Sequence, residues 1–182
     1  FYGPPAAADT VADWSTRRDI RLFKDKFIDE VRSMYFRTHK PEVHLDGGGK
    51  VIVWHWRQER SRPSARQAII DGLPALKTAF ASKMKAVHFF SDGNLSSFDA
   101  VMDACERTVR IKCHAHVNGD LQSDFHAMVK ADVLVVSKRS TLSAIAGVLN
   151  KGDVYLDHHL ASGRLAASGL EERLSAWHEA FE

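Results

Sequence analysis

The stretch "VIVWHWRQER", residues 51–60, opens as a buried strand does, with β-branched residues followed by large aromatics. It then turns polar, placing His55 and Arg57 at the tail and Gln58, Glu59 and Arg60 beyond them. One polar residue would mark the edge of a sheet, so the surplus needs a second explanation. Working outward, strand and helix patterns alternate. "PSARQAIIDGLPALKTAF" (63–80) reads as a helix, "AVHFFS" (86–91) as a strand, and "LSSFDAVMDAC" (95–105) as a helix with Phe98, Val101, Met102 and Cys105 on one face. "TVRIKCH" (108–114) is a third strand, "SDFHAMVK" (123–130) a short helix, and "DVLVVS" (132–137) a fourth strand. "TLSAIAGVL" (141–149) is a helix and "DVYLD" (153–157) a fifth strand. Upstream, Ile20, Phe23, Phe27, Val31 and Met34 recur at helical spacing, which predicts a helix over 17–37 packed on the sheet by its Ile20/Phe23/Phe27 stripe, or with that stripe exposed in the isolated protein where it docks on a partner chain. A terminal helix carries Leu170, Leu174, Trp177 and Phe181, opened by Ser168 with Glu171 as a capping box. Strand followed by helix, repeated, predicts an α/β fold: a Rossmann-like parallel sheet of about five strands with helices on both faces.

The 182 residues, 45 % of them hydrophobic, suffice for one core, so residues 16–182 read as a single Rossmann-like domain after an irregular, Pro- and Ala-rich lead-in at 1–15. A net charge of +2 with interspersed signs gives no nucleic-acid footprint and no membrane patch. No apolar run approaches the ~18 residues of a membrane span. The N-terminus lacks the basic and apolar regions of a signal peptide and, starting without Met, reads as processed or excised from something longer. Cys105 and Cys113 fall on different predicted elements and read as two buried thiols.

In open parallel sheets, ligands bind beyond the carboxyl ends of the strands. There the sequence places His55, Arg57 and Arg60 after the first strand, and Ser91, Asp92, Gly93 and Asn94 after the second. His114 and His116 follow at the third, and Ser137 to Thr141 after the fourth. In "VVSKRSTLSAIAGVL" the strand runs into Ser140 and Thr141, which cap the next helix and turn its positive end and first N–H groups toward the crevice. A phosphate suits that position, although Ser140 as a plain cap is an equal reading of the segment alone. "GGGK" precedes a strand, and neither a G-x-G-x-x-G nor a Walker sequence occurs.

Taken together, "VIVWHWRQER", "VHFFSDG" (87–93) and "FHAMVKADVLVVSKRSTLSAIAGVLNKGDVY" (125–155) resemble the donor-binding half of fucosyltransferase-like GT-B glycosyltransferases, of the α-1,2- and O-fucosyltransferase groups. The helix "RRDIRLFKDKFIDEVRSMYF" (17–36) is similar to the one that precedes these motifs in the family, so the likeness spans roughly 17–156. The resemblance implies that His55 and Arg57 wall the diphosphate of GDP-fucose, and that Ser140 and Thr141, with Ser143 of the same turn, bind phosphate oxygens. It places Asp92 near the nucleoside. Arg57 would stabilise the leaving group and Glu59 is the nearby base, with no metal or other cofactor required. The family's His-x-Arg-Arg-x-Asp motif appears here with Gln58 and Arg60 at the second Arg and the Asp, and Arg139 stands where Asn is usual. A GT-B enzyme also needs a second Rossmann-like half, which would lie outside this chain.

The implied function is transfer of the sugar to a glycan or protein acceptor. A degenerate relative serving as a structural subunit among other proteins is the alternative, and a nucleotide-binding module without turnover is a third. A eukaryotic transferase would work in the Golgi or secretory lumen, the alternatives in the cytoplasm or an organelle assembly. "CHAH" (113–116) and "DHH" (157–159) invite a weaker metal reading. Asn94-Leu95-Ser96 is a glycosylation sequon on a predicted loop, a triplet common by chance.

Overall fold

The computed structural model describes residues 18–45, 49–57, 64–80, 82–137, 140–163, 166–169 and 173. The chain forms two compact units, Phe1–His39 and Lys40–Glu182. Helix α1, Arg18–Arg37, belongs to the first. Its polar surface carries ion pairs Arg37–Glu30 at 3.0 Å and Arg32–Asp29 at 3.3 Å. The expected burial of Phe27 is not found: Phe27 and Met34 are exposed while Ile28 is buried. Adjacent helical residues point about 100° apart, so the buried side is rotated one position from the stripe. The side chains of Ile20 and Phe23 lie outside the described residues.

The second unit holds five strands, β1 Lys50–His55, β2 Met84–Ser91, β3 Lys112–Val117, β4 Val133–Val136 and β5 Asp153–Leu156. They form one all-parallel sheet in the order β3-β2-β1-β4-β5. The helices are α2 Ser64–Phe80, α3 Asp99–Val109, α4 Leu121–Lys130, α5 Thr141–Leu149 and α6 Asp157–Ala161. Strand alternation sorts the residues of β1. Trp54 and Trp56 enter the larger core with Leu73 and Leu76 of α2, Val101 of α3 and Leu160 of α6, and Trp56 meets Phe98 edge-on at 4.7 Å. Gly72 admits this approach, because a Cβ there would stand 2.7 Å from the Trp54 ring. Val53 and His55 point to the opposite face, where α5 lies so close that a Cβ on Gly147 would meet Val136 and Val154.

Two expectations are corrected. The third strand begins at Lys112, not Thr108, because Val109 extends the Val101/Cys105 stripe by one more four-residue step and carries α3 through Thr108 and Val109. The chain then reverses at Arg110, held at φ 59°. The two cysteines are not free thiols: that reversal brings the end of α3 beside the start of β3, and Cys105 and Cys113 form a disulfide with Cα atoms 6.4 Å apart. Crosslinking positions separated by 8 in sequence restricts the unfolded chain by about 2.5 kcal/mol in the loop-entropy model. The Cys105→Ala/Cys113→Ala variant is therefore expected to lose about that much stability in urea titration. An unchanged midpoint would show that the bond adds nothing.

At the opposite ends of the strands from the polar run, Asn150 fastens the turns after α4 and α5. Its Nδ2 donates to the carbonyls of Met128, Val129 and Ala131 at 2.9, 3.1 and 2.8 Å, and its Oδ1 accepts from Gly152 N–H at 2.6 Å. Arg173 adds a guanidinium that donates to the carbonyls of Ser168, Gly147, Asn150 and Gly152. Arg173 is helical, but Leu170, Glu171, Leu174, Trp177 and Phe181 of the expected terminal helix lie outside the described residues.

Candidate functional site

Because β1 leads through α2 to β2 on one side, and β4 leads through α5 to β5 on the other, the connections diverge between β1 and β4. A crevice opens at such a switch point. Here it is a cavity of about 320 Å³, within the range of small-molecule sites. His55, Arg57, Asp92, Ser140 and Thr141 all line it.

His55 comes from the last position of β1 and is 6 % exposed. Its Nδ1 is sealed from solvent and has no hydrogen-bonding partner among the described residues. Burial pushes its pKa down to about 4; the charge of Arg57 adds to this, and those of Asp92 and Asp157 oppose it. The imidazole is accordingly neutral at pH 7 and able to donate one hydrogen bond and accept another. Arg57 is exposed, and its backbone N–H donates to Ser137 Oγ at 3.5 Å, tying the end of β1 to the end of β4.

Ser140 is the N-cap of α5: extended at φ −104°, ψ 103°, it accepts from Ser143 N–H at 3.4 Å through its Oγ. It therefore caps the helix and lines the crevice at once, so the two readings of this turn are not exclusive. Thr141 and Leu142 occupy the first helical positions, where backbone N–H groups have no intrahelical acceptor. Ser143, expected beside them, does not line the cavity. It is fully buried and its hydroxyl donates to the Ser140 carbonyl at 3.4 Å; two residues past Thr141, it stands about 200° around the helix, on the α5 packing surface rather than at the crevice.

The β2 side is built by a small network. Ser91 Oγ accepts from Gly93 N–H at 3.1 Å. Asn118, left-handed at φ 53°, donates its backbone N–H to the Ser91 carbonyl and its Nδ2 to the Gly93 carbonyl, both at 3.2 Å. This fixes the loop that carries Asp92. His116 stacks on Phe90, with ring centroids 4.4 Å apart, and Phe90 also lines the cavity.

Sequence reading missed Asn118, Gly119, Leu121, Asp124 and Met128, which complete the lining. Asp124 matters most, as a second carboxyl whose pKa is pushed up to about 6 by burial and by the charge of Asp120. An acid in the first turn of a helix reads as a complement to the helix dipole, and that reading hides its orientation toward the crevice. Glu59, Gln58, Arg60, Lys138 and Arg139 lie outside the described residues.

The metal reading of "CHAH" loses its thiolate, since Cys113 is disulfide-bonded. Among the described residues no group of three or more His, Cys, Asp or Glu side chains is arranged to hold a metal ion. No helix among them is long and apolar enough to cross a membrane. In comparisons with known proteins, no family model matches the chain and no curated sequence matches it.

Proposed function

We propose that the crevice binds a nucleoside-diphosphate sugar, GDP-fucose, as the donor site of a fucosyltransferase-like glycosyltransferase. The observation that carries this reading is the meeting of Arg57, His55 and the capped N-terminus of α5 in one cavity at the switch point. The charges divide the ligand between the walls. A diphosphate belongs between Arg57 and the first turn of α5, where a guanidinium and oriented N–H groups face it. Asp92 and Asp124 repel phosphate and instead suit the donor-bearing parts of a nucleoside: ribose hydroxyls, and the adjacent N1–H and N2–H₂ groups of guanine, which a carboxylate accepts together.

Departure of the sugar builds negative charge on the diphosphate. Arg57 and the α5 N–H groups counter that charge, and preorganised donors of this kind cost no reorganisation as the bond breaks. His55, neutral at pH 7, adds a hydrogen bond without adding charge. A glycan or protein acceptor would approach the sugar end.

GDP is expected to bind with Kd between about micromolar and millimolar in calorimetry, and to raise Tm by mass action. Arg57→Ala is expected to weaken binding at least about tenfold with Tm in the absence of ligand unchanged, since each charge-assisted hydrogen bond is worth about 1.5–3 kcal/mol. Asp124→Ala is expected to erase any preference for GDP over ADP. No heat and no thermal shift at millimolar GDP would refute the proposal. Unfolding of Arg57→Ala without ligand would instead make Arg57 a structural residue and favour the reading as a structural subunit.

A further inference from the structure

The disulfide and the loop after β2 bear jointly on a modification. Asn94-Leu95-Ser96 is the only Asn-x-Ser/Thr triplet in the chain, and x is not proline. All three residues are exposed, with Leu95 at 59 %. They lie at a surface turn: Leu95–Ser97 is a single 3-10 turn capped by Asn94, whose Oδ1 accepts from Ser96 N–H at 3.2 Å. A triplet by itself occurs by chance, and the independent observation is Cys105–Cys113. A paired disulfide between buried cysteines persists in secretory compartments and is rare in reducing ones. Asparagine-linked glycosylation occurs on exposed loops of proteins that traverse those same compartments.

We infer that Asn94 is an N-glycosylation site and that the chain matures in an oxidising, glycosylating lumen. The donor is a lipid-pyrophosphate-linked oligosaccharide supplied by that compartment. A bond forms between Asn94 Nδ2 and the sugar's anomeric carbon while that carbon's bond to the pyrophosphate oxygen breaks. The lipid pyrophosphate leaves with the bonding electrons, and the amide gives up one proton. The glycan stands two residues from Asp92, at the rim of the crevice, on a loop held by Asn118. This inference does not depend on the nucleotide-sugar reading.

Tryptic chemistry tests both halves in one species. Cleavage after Lys85, Arg107, Lys112 and Lys130 yields peptides 86–107, carrying Asn94 and Cys105, and 113–130, carrying Cys113. In an unreduced digest of the protein isolated from its own cells, mass spectrometry is expected to find the two peptides disulfide-linked with a glycan on Asn94. Enzymatic release of the glycan should convert Asn94 to Asp. In cell-free translation with endoplasmic-reticulum microsomes, the full chain behind a cleavable signal sequence should gain one glycan. Asn94→Gln and Ser96→Ala should each abolish it, and Ser96→Thr should keep it. Linked peptides with Asn94 unmodified, or free thiols with Asn94 unmodified, would overturn the inference. So would failure of the wild-type chain to be modified inside the microsomes.

Discussion

Replacing Asn150 with alanine is expected to lower the stability of the α/β unit by about 4 kcal/mol, because it strips partners from several buried polar groups at once. Asn150 is fully buried, and its two amide hydrogens serve three carbonyls while its oxygen takes the Gly152 N–H. The carbonyls of Met128, Val129 and Ala131 end α4, where intrahelical donors have run out. Alanine leaves these groups facing apolar surroundings. Asn150→Asp should cost at least as much, since it sets a carboxylate against the same carbonyls. Urea titration reads the effect directly, and a loss below about 1 kcal/mol, the size of one ordinary hydrogen bond, would show that water replaces the amide.

Acidification from pH 7 to pH 4 is expected to remove about 3 kcal/mol of stability through His55 alone, since each unit of pKa shift is worth about 1.4 kcal/mol. The folded pKa of about 4 lies below the ordinary value of 6.5, so between those values the unfolded chain binds the proton and the folded chain does not. The contribution is complete above pH 6.5 and is lost as pH falls toward 4. Asp124 works in the other direction over part of this window. Its folded value near 6 lies above the ordinary carboxylate value, so its contribution increases as pH falls. Comparing the pH slope of wild type with that of His55→Gln isolates the imidazole, and the variant should show a clearly shallower slope between pH 4 and 6.5. NMR titration should show the ring neutral down to about pH 4, and a ring titrating near 6.5 would refute the assignment. If phosphate binds beside His55, GDP should raise its pKa and flatten the wild-type slope.

The parallel α/β architecture was legible because each strand is a short apolar run closed by polar residues, and each helix carries its own period. The polar ends of β1, β2 and β4 announced a crevice, since the carboxyl edge of such a sheet is where loops and helix N-termini gather. "VIVWHWRQER" held two answers at once. A period of two sends Trp54 and Trp56 to one face and His55 and Arg57 to the other, so core packing and a crevice wall are written in the same seven residues.

Local pattern determines element type and which face is apolar, because these depend on neighbours within a few positions. It leaves open what a side chain meets across the fold. Ser143 shares its turn with Ser140, yet it stands about 200° around the helix from Thr141 and is buried in packing, and only the placement of α5 on β4 and β5 decides that. Asp124 looks like any acid in a first helical turn until the strand order brings α4 to the mouth of the crevice beside β1. Cys105 and Cys113 belong to different elements, and their pairing depended on the left-handed reversal at Arg110, a backbone conformation that no residue pattern there announces. Orientation, pairing and pKa are set by distance and burial between residues far apart in sequence, and those quantities exist only once the sheet has assembled.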